Sequence, residues 1–233
     1  MTIRPIDIAR KLCISTSALR HYEAWGIVPA IERSSNGYRV YTDEHVAYFE
    51  CIRAMGPGFG MKLTSEVLRK IQQKDVNSAL WLVNEAQVSL HREKFIAEKT
   101  IQLLESKELD NLDKGKERKE MTIGEVSAET EIPNSAIRYW EKTGLIKLTR
   151  DENGYRTFTN SHVRQILLIR TLRTANYPLE TVLHILKELD QNNVEQARKI
   201  ARNSLENLHM KNHDQLRGMH YLYNLCRKVN LLC

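Results

Sequence analysis

The stretch Ala136-Ile137-Arg138-Tyr139-Trp140-Glu141-Lys142-Thr143-Gly144-Leu145-Ile146, followed after a short polar segment by Asn153-Gly154-Tyr155-Arg156, occurs twice in this chain. The earlier copy reads Ala18-Leu19-Arg20-His21-Tyr22-Glu23-Ala24-Trp25-Gly26-Ile27-Val28, then Asn36-Gly37-Tyr38-Arg39. Arg20 and Arg138 lie 118 positions apart and Arg39 and Arg156 lie 117 apart, so the copies differ by one residue inside the intervening segment. A chain that repeats itself at this spacing is one design used twice. Its 233 residues therefore divide into two units of roughly 110 residues, each large enough for a modest core.

Working outward from the first copy, Pro5 suits the first turn of a helix, and Ile6, Ile8, Ala9 and Leu12 give that helix an apolar face. Cys13-Ile14-Ser15 is long enough only for a tight turn, and Ser15 or Thr16 can cap a second helix over about 16–24. Two short helices joined this closely predict a helix-turn-helix, whose second helix enters the DNA major groove. Beyond Gly26, Asn36-Gly37 sits between β-prone segments and predicts a type I′ hairpin, the wing, with Arg39 beside the recognition helix. Thr42 caps a further helix that Gly56-Pro57-Gly58 is expected to stop, and a short helix follows over about 64–73. From Val76 the pattern turns long and regular. Val76, Val83, Leu90, Ala97 and Leu104 fall seven apart, with Leu80 and Ile101 at the alternate seam positions and Gln87 and Lys94 interrupting, which predicts a coiled-coil helix.

The second copy repeats the programme. Thr122-Ile123-Gly124-Glu125 matches a capping box, the recognition helix is expected over about 134–142, and the wing turns at Asn153-Gly154 with Lys147, Arg150 and Arg156 around it. A final helix places Leu205, Leu208, Met219, Leu222, Cys226 and Val229 on a seam. The expected organisation is a first winged-helix domain at 1–75, a coiled-coil helix at 76–112, a linker at 113–120, a second winged-helix domain at 121–192 and a coiled-coil helix at 193–233. The fold class is mainly α.

The net charge of +6 favours an acidic partner such as nucleic acid or an anionic membrane. Residues 1–112 hold 15 Lys and Arg against 14 Asp and Glu, and residues 121–233 hold 16 against 12, so a binding surface must be a local patch. No apolar run approaches a membrane span and the N-terminus lacks signal-peptide features, so a soluble, cytoplasmic protein without a membrane partner is expected. Cys13, Cys51, Cys226 and Cys233 are few and scattered, which fits reduced thiols.

Arg-x-[Tyr/Trp]-Glu, a Gly-[Leu/Ile]-[Ile/Val] step, Asn-Gly-Tyr-Arg and a terminal coiled-coil helix, in order and twice over, resemble the MerR family of winged-helix transcriptional regulators. The resemblance implies sequence-specific binding to double-stranded promoter DNA, with bending or untwisting of a palindromic operator and RNA polymerase as a further partner. By position it puts Ser17, Arg20, His21 and Tyr22 on one recognition helix and Ser135, Arg138, Tyr139 and Trp140 on the other, with Tyr38, Arg39, Tyr155 and Arg156 as wing contacts. Bland readings stand beside these. Tyr22 and Trp140 either touch phosphate or pack the helix against the wing, and Arg20 and Arg138 either touch DNA or pair with carboxylates. Trp140 stands where the family usually has Tyr, and Cys13 and Glu131 occupy a turn where it often has Gly.

Family members usually dimerise through an antiparallel pair of last helices. Here one chain can supply both. A helix of roughly 36 residues is about 54 Å long, and eight linker residues reach only about 26 Å, so the linker suffices only if the long helices pair antiparallel. An intramolecular pseudo-dimer is therefore expected, reading an imperfect palindrome. A homodimer of chains with four winged helices is the competing arrangement.

Cys226 and Cys233, one heptad apart, invite a metal-sensing reading but equally fit the seam, as His209, His213 and His220 fit a solvated helix face. No metal or other cofactor is expected. Trp81, Tyr177, Tyr221 and Tyr223 either line an effector pocket or belong to the core. No phosphate loop, nucleophile motif or paired-carboxylate signature points to an enzyme. A second non-enzymatic class is a DNA-bending accessory factor of the recombination directionality type.

Overall fold

The computed structural model describes residues 3–105, 120–174, 177–190 and 194–232. Most of the expected linker and the end of the first coiled-coil helix lie outside them. The chain divides into two compact units, one of residues 1–90 with 209–233 and the other of residues 91–208.

In the first unit, α1 (Pro5–Leu12) opens on Pro at its first turn and closes on Cys13 in the left-handed region (φ 53°, ψ 45°). The Ser15 side chain accepts from the Ala18 N–H at 3.1 Å and starts α2 (Thr16–Ala24). Thr42 caps α3 (Asp43–Gln72) through a capping box completed by the His45 ring. Leu19 of α2, Ile27 and Val28 beyond it, and Tyr41, Phe49 and Ile52 share one core. Ile3 donates to the Tyr41 carbonyl (3.2 Å), tying the chain start to the end of the wing.

Helix α3 departs from the sequence expectation. It runs through Gly56-Pro57-Gly58 and kinks at Gly60, the residue with non-helical angles (φ 75°, ψ 156°). Proline costs a helix one hydrogen bond and bends it, and here the break falls on the nearby glycine that tolerates positive φ. Gly58 and, far along the chain, Gly218 serve another purpose. A Cβ on Gly58 would lie 2.6 Å from the Gln215 backbone nitrogen, and one on Gly218 would lie 3.1 Å from the Met55 Cα. At this crossing of α3 with α9 (Val194–Lys228), Gln215 is buried and its Nε2 donates to the Gly58 carbonyl (3.2 Å).

The second unit repeats the plan with α5 (Ile123–Thr130), α6 (Asn134–Lys142), a short hairpin β1 (Thr149–Arg150) with β2 (Arg156–Thr157), α7 (Asn160–Thr174) and α8 (Leu179–Asp190). The capping box at Thr122 and Glu125 forms as its spacing predicts. Met121 and Phe158 exchange backbone hydrogen bonds (2.8 and 3.0 Å), the counterpart of the Ile3 to Tyr41 bridge. Neither bridge announces itself in the sequence. Helix α6 buries Ile137 and Trp140 against Leu145, Ile146, Phe158 and Ile166.

Helix α4 (Val76–Glu105) takes part in both units. In the first, Ala79 and Val83 share a core with Leu222, Leu225 and Cys226 of α9. In the second, Arg198 near the start of α9 donates to the Leu104 carbonyl (2.7 Å), and Arg202 pairs with Glu105 (2.6 Å). The start of α4 thus meets the end of α9, and its end meets the start of α9. Two continuous helices can satisfy both only by running antiparallel. Val83, Leu90, Ala97 and Leu104 are buried as the heptad reading predicts, but Leu80 is 38 % exposed and Ala79 takes the buried place beside it. Among the described residues no helix is long and apolar enough to cross a membrane.

Candidate nucleic-acid interface

Each recognition helix turns one face to its core and the other to solvent. On α2, Leu19 is fully buried while Ser17, Arg20 and His21 are exposed; on α6, Ile137 is fully buried while Ser135, Arg138 and Tyr139 are exposed. Among the described residues neither Arg20 nor Arg138 forms an ion pair, although the sequence left carboxylate pairing open for both. Tyr22 is half-buried, its ring 5.8 Å from Trp25 and 6.3 Å from Phe49. Trp140 retains only 7 % of its surface and belongs to the core of the second unit. For Trp140, then, packing is the role that the structure realises, and a phosphate contact through its indole has little surface left to use.

Both wings have one turn, and it differs from the type I′ form expected of Asn-Gly. In the first, the Gly37 N–H donates to the Ser34 carbonyl and the Ser34 N–H to the Tyr38 carbonyl, each at 2.8 Å. In the second, Gly154 donates to Asp151 (3.0 Å) and Asp151 to Tyr155 (2.9 Å). Gly37 and Gly154 have φ 79°, whereas Asn36 and Asn153 keep negative φ. This is a type I turn followed by a glycine bulge, a three-residue loop rather than a two-residue one. Arg33 and Arg150 stiffen it by donating to the carbonyls of Gly37 (3.1 Å) and Gly154 (2.9 Å). At the loop tips Tyr38 and Tyr155 are 77 % and 73 % exposed.

The wing arginines are not free. Arg39 Nε donates to Glu23 Oε2 at 2.6 Å, and Arg156 Nε donates to Glu141 Oε2 at 2.6 Å. Each arginine spans from wing to recognition helix, and each pair is roughly three-quarters withdrawn from solvent. Both glutamates belong to the repeated Arg-x-[Tyr/Trp]-Glu motif, yet nothing in that motif points to their partners. Arginine is suited to this position, because one edge of its planar guanidinium can hold a carboxylate while the rest faces elsewhere. In the first unit α3 adds two more ties, Arg69 to the Trp25 carbonyl (3.0 Å) and Gln72 to the Gly26 carbonyl (3.1 Å).

Other candidate sites find less support. Cys51 and Cys226 are buried, and burial pushes both thiols up, away from the thiolate that binds metal or attacks. Cys233 lies outside the described residues. Among the described residues no group of three or more His, Cys, Asp and Glu side chains could hold a metal ion. Tyr177 packs against the core of the second unit, but Trp81, Tyr221 and Tyr223 are on the surface, which corrects the core reading for these three.

The family model described as "MerR HTH family regulatory protein" matches residues 121–189, and the one described as "MerR family regulatory protein" matches residues 4–41. Among curated proteins, the HTH-type transcriptional regulator CueR of Salmonella typhi is 39% identical over 61 residues, covering 26% of this chain and 44% of the relative. The HTH-type transcriptional regulator HmrR of Rhizobium leguminosarum bv. viciae is 33% identical over 66 residues, covering 28% of this chain and 51% of the relative. The chain thus spans about half the length of the curated relatives it matches. No solved structure matches it. Two family matches fall on two helix-turn-helix copies with the same turn, the same exposed helix face and the same glutamate–arginine tie, so residues 4–41 and residues 121–189 are each similar to MerR-family regulatory proteins.

Proposed function

We propose that this protein is a sequence-specific transcriptional regulator that binds promoter DNA, one chain reading both halves of an imperfect palindrome. One observation carries the reading: in both copies the wing arginine is tied to the recognition helix by its Nε, beside an exposed helix face holding Arg20 and His21 or Arg138 and Tyr139. Held this way, the outer amino groups of Arg39 and Arg156 meet phosphate, while Glu23 and Glu141 act as positioning residues. Tyr38 and Tyr155, on the wing tips, lie along the same backbone. Such contacts set register, and the exposed positions of α2 and α6 supply the base readers. Ser17 and Ser135, small and exposed near the helix starts, add hydroxyl donors. Bending or untwisting of the operator and contact with RNA polymerase complete the proposed mechanism.

The antiparallel pairing of α4 with α9 supports a single chain as the operator-binding species, because the helix pair that would join two subunits is made internally. His21 and Tyr139 occupy equivalent positions with different chemistry, which supports unequal half-sites. Selection of bound sites from random DNA by the full chain tests this. Two dissimilar half-sites in fixed order are expected, and a perfectly symmetric consensus would refute the asymmetry. A promoter-reporter assay on the selected site should respond to the protein; an unaffected promoter would leave only a DNA-bending role.

A further inference from the structure

The exposed side of each recognition helix does not end at His21 or Tyr139. On α2, Ser17, Arg20, His21, Ala24 and Trp25 are all exposed, and their spacing of i, i+3, i+4, i+7 and i+8 makes them one helical stripe. Trp25 closes the helix with φ −77° and ψ −5°, so the stripe continues through it. It runs about 12 Å from Ser17, the length of roughly three base pairs. On α6 the same positions are Ser135, Arg138, Tyr139, Lys142 and Thr143. The near halves of the two stripes are alike, but the far halves are not. In the first copy the far half is apolar, with Ala24 beside a Trp25 that is 48 % exposed. The indole is held in place: its ring stands edge-to-face with His21 at 6.2 Å and with Tyr22 at 5.8 Å, and Arg69 donates to the Trp25 carbonyl (3.0 Å). In the second copy the far half is cationic, because Lys142 is exposed and Thr143 turns its hydroxyl back onto the Tyr139 carbonyl (3.0 Å).

We propose that Ala24 and Trp25 recognise the 5-methyl group of a thymine in the half-site that the first copy reads, whereas Lys142 meets a phosphate at the matching place in the other half-site. The proposal rests on α2 and α6 being the DNA-reading helices, and it adds what the far end of each one takes. Among the four bases only thymine carries a methyl group into the major groove, and apolar side chains are its partners there. Set against any other base, the Ala24 and Trp25 surface would strand a donor or acceptor without a partner, which disfavours that base. Phosphate calls for a cation, which Lys142 supplies and Ala24 and Trp25 do not. The packing of the indole strengthens its part, because a ring already fixed against His21 and Tyr22 loses little conformational freedom on binding.

Deoxyuridine in place of thymine removes the methyl group and leaves the pairing edge intact, so it tests the contact directly. Each thymine of the operator selected by the full chain is replaced in turn, and affinity is measured by fluorescence anisotropy at fixed salt. At one thymine the loss of the methyl is expected to weaken binding about fourfold, the order of burying one methyl group. Trp25→Ala should erase that difference and leave the response to every other thymine as it was. Lys142→Ala should lower the salt slope by about one unit, and Trp25→Ala should leave the slope unchanged. Binding by the unaltered chain that is indifferent to the methyl of every thymine overturns the proposal, and so does a methyl effect that survives Trp25→Ala. A salt slope unmoved by Lys142→Ala overturns its second half. None of these outcomes touches the reading of the chain as a DNA-binding regulator, which fails instead if the full chain selects no site from random DNA.

Discussion

The two copies agree where they are tied together and differ where they face outward. Arg39–Glu23 and Arg156–Glu141 have the same geometry at 2.6 Å, and both wings turn on a glycine at φ 79°. Outside this frame, His21 stands opposite Tyr139, exposed Trp25 opposite Thr143, and half-buried Tyr22 opposite buried Trp140. The shared residues hold the wing at a fixed angle to its recognition helix. The divergent ones can therefore alter what is read without altering how the reader is held.

Behind the wings the copies part more sharply, and there a single atom should have the largest effect. Helix α3 passes α9 at Gly58 with no room for a side chain, since a Cβ would lie 2.6 Å from one backbone atom and 2.8 Å from another. Backbone cannot swing aside as a flexible side chain can. Gly58→Ala is expected to destabilise the first unit by about 3 kcal/mol or more, in the range of severe overpacking. Gly56→Ala is the control in the same helix, because its Cβ would meet only the Met61 sulfur at an ordinary 3.5 Å. It should be neutral or stabilising by up to about 1 kcal/mol. Hydrogen exchange resolves the comparison. Gly58→Ala should speed exchange in α3 well before α7, and equal acceleration in both would mean that the units do not unfold separately.

Next in size come the wings. Arg39→Ala and Arg156→Ala should each weaken operator binding by about tenfold, the order of one good phosphate contact, and each should lower the salt slope by about one unit. Glu23→Gln and Glu141→Gln keep the shape of the tie and remove its charge, so they should weaken binding less and leave the slope nearly intact. If removing a glutamate instead tightened binding with a steeper slope, the glutamate would be a brake on the arginine and not its positioner. On the proposal that each copy reads its own half-site, the arginine variants should each impair protection of a different half-site in a footprint.

What could be read in the sequence was local or repeated. Thr122-Ile123-Gly124-Glu125 encodes its own helix start, and Ser15 and Thr42 do likewise, because the cap and the groups it satisfies lie within four residues. The recognition helices and the intrachain helix pair followed from the repeat and the reach of the linker. The glutamate–arginine ties did not, since nothing in Glu23 or Arg39 names a partner 16 residues away. The kink at Gly60 was missed for a related reason: Pro57 is a local helix breaker, but where the helix bends is decided by its packing on α9. Helix α4 gives the clearest limit. Val83–Leu90–Ala97 and Trp81–Val88–Phe95 have the same spacing, so periodicity alone cannot say which stripe faces inward.

A smaller effect should separate the copies at the helix that follows each wing. In both, a histidine at the third helical position accepts the N–H of the capping threonine through Nδ1: His45 from Thr42 at 3.1 Å and His162 from Thr159 at 3.0 Å. The neutral ring then carries its proton on Nε2. For His162 that proton reaches the Lys147 carbonyl at 3.0 Å, tying helix α7 to the start of the wing. For His45, Nε2 is buried without a partner among the described residues. Both histidine-to-alanine variants lose a cap, worth about 1 kcal/mol. His162→Ala also loses a useful hydrogen bond, whereas His45→Ala removes a stranded donor, so His162→Ala should be the more damaging by about 1 kcal/mol. Equal losses in urea unfolding would mean that the Lys147 contact contributes nothing net.

The smallest effect should be the same in both copies, which makes it the control on the others. Cys13 (φ 53°) and Glu131 (φ 56°) close the first helix of each copy in the left-handed region, where a side chain crowds the following carbonyl. That strain costs about 1 kcal/mol or more, while glycine relieves it at the expense of a more flexible unfolded chain, about 0.5–1 kcal/mol. Cys13→Gly and Glu131→Gly should therefore each stabilise by a few tenths of a kcal/mol up to about 1 kcal/mol. The Cys13 thiol makes only a weak 3.9 Å contact to the Arg10 carbonyl, too little to offset the gain. Since the turn is set by backbone geometry common to both copies, the two gains should match. A gain in one copy and a loss in the other would mean that the side chain at this turn has a local role, and that the divergence between the copies extends into the frame that holds the recognition helix.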